Sequence, residues 1–103
     1  MLAPKEVQEQ SAKGILLYER FKRGATFIEY DRAKLLAEGK EIPTTQLRRL
    51  KVFFDRNLSN SEVGDESGAW DNAVRPSDLY IRWTMCGGNP CHRWVTHLLN
   101  SED

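Results

Sequence analysis

The stretch from Arg82 to Trp94 constrains the fold more than any other part of the chain. Two apolar, aromatic-bearing segments meet there at Gly87-Gly88, and Asn89-Pro90 restarts the chain. Asparagine is a favoured N-cap and proline suits a first helical position, so a helix is expected to begin at this point. Before the break, Leu79, Trp83 and Cys86 recur at i, i+4 and i+7. After it, Cys91, Trp94, Val95 and Leu98 recur at i, i+3, i+4 and i+7. Both patterns are those of amphipathic helices with one apolar face each. The double glycine therefore sets how the last two helices pack on one another.

The remaining sequence extends the same pattern. A first helix is expected over about Glu6 to Lys22, burying Ala12, Leu16, Leu17 and Phe21 and weakened by Gly14, which costs up to about 1 kcal/mol against alanine. Arg23-Gly24-Ala25 ends it, and Thr26 is the expected cap of a second helix. That helix should run from Phe27 to Glu38 with Phe27, Ile28, Leu35 and Leu36 inside, and close at Gly39. Thr44 or Thr45 should cap a third helix reaching about Asn57, where Leu47, Leu50 and Phe54 share a face. Residues 58–75 read as one long polar, acidic loop, tied down only by Val63 and Trp70. Pro76-Ser77-Asp78 opens the fourth helix, with Ser77 as cap and Asp78 suited to the positive end of the dipole.

Such a chain should fold as one all-α domain over residues 1–103, a compact bundle of four to five short helices with one long polar loop. At 103 residues, 40% apolar and 29% charged, it can fill a single modest core. The expected core is Leu16, Phe21, Leu35, Leu47, Leu50, Phe54, Trp83, Trp94 and Leu98. No apolar run reaches the ~20 residues that span a bilayer, so no membrane partner is expected. The first residues lack the basic flank and apolar stretch of a signal peptide, and two cysteines do not make a disulfide scaffold. Both suggest a reducing interior rather than secretion.

Three blocks share an order and spacing. The first is Arg23-Gly24-Ala25-Thr26 with Arg32-Ala33, and the second is Thr45-Gln46-Leu47-Arg48-Arg49-Leu50 with Phe53-Phe54-Asp55-Arg56-Asn57. The third is Pro76-Ser77 with Trp83-Thr84-Met85-Cys86-Gly87-Gly88 and Trp94. Together they resemble a small helical domain of tailed-phage proteins, found alone or fused to capsid-maturation proteases and other head-region proteins. Its pattern is RGGT, then TxRRMxxFFxRH, then PS and WxLWGGDxGxxWA. Here Ala25 stands for the second glycine of the turn, Asn57 for a histidine, Cys86 for a tryptophan and Cys91 for a glycine. The resemblance implies a phage origin, a place in the host cytoplasm or the virion, and an accessory role near head or DNA-handling proteins. It carries no biochemical activity of its own.

The chain is neutral overall, but its charge is uneven. From Lys13 to Arg56, 11 Lys or Arg stand against 6 Asp or Glu, a net +5, whereas residues 57–74 carry only Glu62, Asp65, Glu66 and Asp71. Arg48, Arg49, Lys51 and Arg56 lie on the third helix, and Lys22, Arg23, Arg82 and Arg93 are expected to converge with them. A face of this kind binds a polyanion by neutralising phosphates, within the roughly 10 Å reach that salt screening leaves. The same residues also suit a solvated helix surface with pairs such as Arg48 with Asp55 or Glu29 with Lys34.

Cys86, Cys91, His92 and His97 have the chemistry of zinc ligands, but four residues separate the cysteines across a helix start, which is not knuckle spacing. Core cysteines are the expectation, with no metal and no cofactor. Trp83 and Trp94 are in phase with other apolar residues and read as interior. No acid pair, nucleophile motif or Ser-His-Asp order stands out, and neighbouring Cys91 and His92 point about 100° apart, so no enzyme is expected. The leading expectation is a non-enzymatic accessory module binding nucleic acid through the basic helix. The alternative is a protein-interaction or virion-assembly module using the acidic loop and Trp70 against a phage partner, or an inhibitor of a host protein.

Overall fold

Helix signals at the expected places produce five helices in the computed structural model, which describes residues 1–61, 63–65 and 70–101. They are α1 (Lys5–Phe21), α2 (Phe27–Ala37), α3 (Thr44–Asn57), α4 (Asp78–Met85) and α5 (Gly88–Ser101), with no strand among the described residues. The chain is an all-α bundle.

The local capping chemistry explains two of the starts. Thr26 accepts from the Glu29 N–H while the Glu29 carboxylate takes the Thr26 N–H, a reciprocal box that stabilises the first turn of α2. Ser77 caps α4 by accepting from Tyr80 N at 3.0 Å. Two other starts differ from expectation. Pro43, not Thr44 or Thr45, occupies the cap position of α3; its ring presets φ for the extended entry into the helix but carries no acceptor for a side-chain cap bond. The α5 helix begins at Gly88, so Asn89 lies inside the first turn and its Oδ1 instead accepts from Trp83 Nε1 at 3.0 Å.

The α1 helix is the hub, packing on α2, α4 and α5, while α3 lies against α5. Its inward face is not the large-residue face that the sequence suggests. Val7, Ser11 and Gly14 are buried, whereas Leu16 is 68% exposed. Gly14 lets the two backbones meet: a Cβ there would lie 2.3 Å from Met85 N. Ser11 Oγ donates to Met85 O at 3.1 Å in the same seam. The glycine that looks like a weakness of α1 is thus its contact with α4. Phe27 and Ile28, expected inside, are each 70% exposed, and α2 buries Ala33 and Leu36 instead.

The apolar interior forms two clusters among the described residues. The larger gathers Val7, Leu36, Ile42, Leu47, Leu50, Phe54, Trp83, Cys86, Cys91 and Val95, with Leu35, Trp94 and Leu98 packed against it. The smaller joins Ala33, Ile81 and Met85 to Phe21, Tyr18 and Tyr30. Phe21 therefore serves a separate cluster from Phe54.

Between α3 and α4 the described residues form turns and bends. Asn57 and Asn60 carbonyls accept from Asn60 and Val63, and Trp70 O accepts from Ser77 N at 3.3 Å. Val63 and Trp70 pack on the larger cluster, as the sequence suggests. Glu62 and Glu66 of the acidic segment lie outside the described residues. No helix among the described residues is long and apolar enough to cross a membrane.

Candidate nucleic-acid interface

Helical phase sorts the cations of α3. Leu47, Leu50 and Phe54 turn inward, which leaves Arg48, Arg49 and Arg56 exposed on the opposite side around Val52, itself 52% exposed. Lys51 sits at the flank and pairs with Asp55, the one acid on this helix. Asp55 also faces His92 Nε2 at 3.1 Å. The hydrogen bond from Lys51, seconded by His92, holds the Asp55 carboxyl below its ordinary range. The single negative charge of α3 is thereby turned toward Lys51 and α5. Its partner is Lys51 rather than Arg48, because an i, i+4 pair lies on one side of a helix and an i, i+7 pair is too distant.

Arg23 and Arg82 are held by groups away from this face. Arg23 donates to Pro76 O at 2.7 Å and pairs with Asp78. Arg82 Nε lies 3.1 Å from Glu29 Oε2, an ion contact too bent for a hydrogen bond. Glu29, expected to pair with Lys34, thus serves both the α2 cap and Arg82, while Lys34 lies over the Tyr30 ring at 4.5 Å. Arg93 is exposed on the outer side of α5, and Lys22 is exposed at the end of α1. Of the eight cations singled out, Arg48, Arg49, Arg56, Arg93 and Lys22 stand exposed, and the half-buried Lys51, Arg23 and Arg82 are ion-paired.

The cysteines, Trp83 and Phe54 belong to the interior, with Trp94 packed against it. Cys86 and Cys91 are free, buried thiols. Arg32 Nη2 donates to Cys86 Sγ at 3.5 Å. His92 stacks on Phe54 at 5.2 Å and turns toward Asp55, away from the thiols. Among the described residues, no three His, Cys, Asp or Glu side chains gather in a metal-binding group. Trp70, expected at a partner surface, is half-buried edge-on against Tyr80 and Trp83.

Burial pushes the Cys86 thiol up to about 11, and Cys91 is driven in the same direction by burial and by its neighbour Cys86. Folding therefore favours the protonated thiols. Their contribution is fully present below the unfolded-state value near 9 and is lost as pH rises from there toward 11, by about 1.4 kcal/mol per pH unit per thiol. Urea unfolding of the natural chain against Cys86→Ala/Cys91→Ala should show this as a difference in alkaline slope. The same fall in both proteins would refute it.

Comparison with protein families, with curated proteins and with solved structures finds no match to this chain.

Proposed function

We propose that this chain is a phage-encoded, non-enzymatic accessory module that binds nucleic acid through the solvent side of α3, in the host cytoplasm or the virion. One observation carries the reading: Arg48, Arg49 and Arg56 share the exposed side of one helix whose only acid is paired elsewhere. Guanidinium groups match phosphate oxygens with two parallel hydrogen bonds, and their contacts release the counterions condensed on the nucleic acid. Three such contacts correspond to a slope of roughly −2 to −3 in log affinity against log salt. The phage resemblance of the three sequence blocks supplies the setting.

Binding to duplex and single-stranded DNA should be measured across a salt series. Arg48→Glu/Arg49→Glu is expected to weaken it at least about ten-fold at low salt and to reduce the slope by roughly two contacts' worth. Unchanged binding in that variant, or no binding at low salt, ends the reading.

The protein-interaction reading is favoured by a different surface. Phe27 and Ile28 stand exposed at the start of α2, and Ile28 continues into a groove with Leu35, Ile42 and Pro43. Exposed apolar surface of this kind marks contact sites. Phe27→Ser/Ile28→Ser should leave DNA affinity unchanged if α3 is the interface, and the same titration in that variant decides between the two surfaces.

A further inference from the structure

A cleft of about 190 Å³ opens where α1, the α3–α4 connection, α4 and the start of α5 meet. Gln10, Val63, Trp70, Tyr80, Trp83 and Asn89 line most of it, and among the described residues no charged side chain lines it. The walls are aromatic: Trp70 stands edge-on to Tyr80 at 5.2 Å and to Trp83 at 6.2 Å. Two carboxamides complete them. Trp83 Nε1 donates to Asn89 Oδ1, which orients that side chain and leaves its amide hydrogens without a partner among the described residues. The Gln10 carboxamide makes no hydrogen bond among the described residues and lies over Gly88, where a Cβ would come within 2.7 Å of Gln10 Oε1. Outside the cleft, Lys13 Nζ lies 5.5 Å from the Tyr80 ring centre, and Arg93 is exposed one turn beyond Asn89.

We infer that this cleft takes one unstacked base of a single-stranded nucleic acid. It is smaller than the roughly 300 Å³ at which drug-sized sites begin, which suits a single planar ring system. Aromatic walls offer stacking, and carboxamides carry the paired donor and acceptor that read the edge of a heterocycle. The described lining offers no cation to hold a phosphate inside, whereas Lys13 and Arg93 lie outside the cleft, where they can meet the backbone of such a strand. The inference rests on the nucleic-acid reading of α3 and adds a preference that an arginine face alone lacks. A base paired inside a duplex cannot enter the cleft.

The test uses the intact chain with three probes at one low salt concentration. These are a short oligothymidylate, the same strand with abasic sites, and a duplex containing it. Tryptophan fluorescence reports on the cleft. The expected result is quenching by the intact strand and an affinity about ten-fold above the abasic strand, the effect of one lost stacked base. Trp70→Ala, and independently Gln10→Ala, should bring intact-strand binding down toward the abasic level while leaving abasic binding unchanged. Equal affinity for intact and abasic strands overturns the cleft and leaves the α3 face standing. No binding of any probe overturns both. Quenching by a tryptophan-bearing peptide, with none by the strand, also overturns it and assigns the cleft to a protein side chain.

Discussion

Gly14→Ala should lower the free energy of unfolding by about 3 kcal/mol or more in urea denaturation, although helix propensity alone predicts a gain of up to ~1 kcal/mol. The added methyl would lie 2.3 Å from Met85 N and 2.5 Å from Met85 Cα. Both atoms are backbone, so no rotamer change in α4 relieves the clash. The α4 helix is itself held at one end by the Ser77 cap and at the other by the turn at Gly87, whose N–H donates to Thr84 O at 2.9 Å. Relief therefore requires α1 to move away from α4. That motion stretches the bond from Ser11 to Met85 and opens the cluster of Ala33, Ile81 and Met85. Overpacking usually costs 1–3 kcal/mol, and a backbone-to-backbone clash belongs at the upper end or beyond. A neutral or stabilising Gly14→Ala would mean that the two helices do not approach this closely.

Phe54→Ala is expected to cost about 3–5 kcal/mol, a large part of the 5–15 kcal/mol typical of a domain. Phe54 is fully buried and central to the larger cluster. Its ring meets Trp83 edge-on at 4.8 Å, touches Phe53 at 5.4 Å and stacks with His92 at 5.2 Å. Truncation leaves a void between α3, α4 and α5 that fixed helices cannot collapse to fill. The urea midpoint should fall with little change in the slope that reports exposed surface. Phe53→Ala, at a half-buried position, should cost clearly less. If the two variants lose equal stability, Phe54 is not the centre of the cluster.

The helices themselves were largely legible because their signals are local. The Thr26–Glu29 box, the Ser77 cap and the Leu47–Leu50–Phe54 stripe each involve residues only three or four positions apart. Large apolar residues do not mark the buried face of α1 or α2. In α1, Leu16 offers more apolar area than Ser11 or Gly14, yet a close helix crossing selects for small side chains, and Leu16 was left outside. In α2, Phe27 and Ile28 occupy the first turn and stay exposed, whereas Ala33 and Leu36, further along the helix, are buried. Hydrophobic periodicity carries no information about which gap between helices is narrow.

The candidate surfaces divide along the same physical line. Arg48, Arg49 and Arg56 face away from the core because helical phase alone puts them opposite Leu47, Leu50 and Phe54, so this side of α3 follows from the amino-acid order. The fates of Arg23 and Arg82 do not. Asp78 lies 55 positions from Arg23, and Glu29 lies 53 from Arg82, so only the packing of α4 beside α1 and α2 decides that these charges are paired. The cleft has the same origin: Gln10, Trp70, Tyr80 and Asn89 come from four separate segments and meet only when α5 folds back at Gly87 and Gly88. Backbone hydrogen bonding between near neighbours specifies a helix and its sides. Which distant groups neutralise one another, and which enclose a space, depends on close packing across the whole chain.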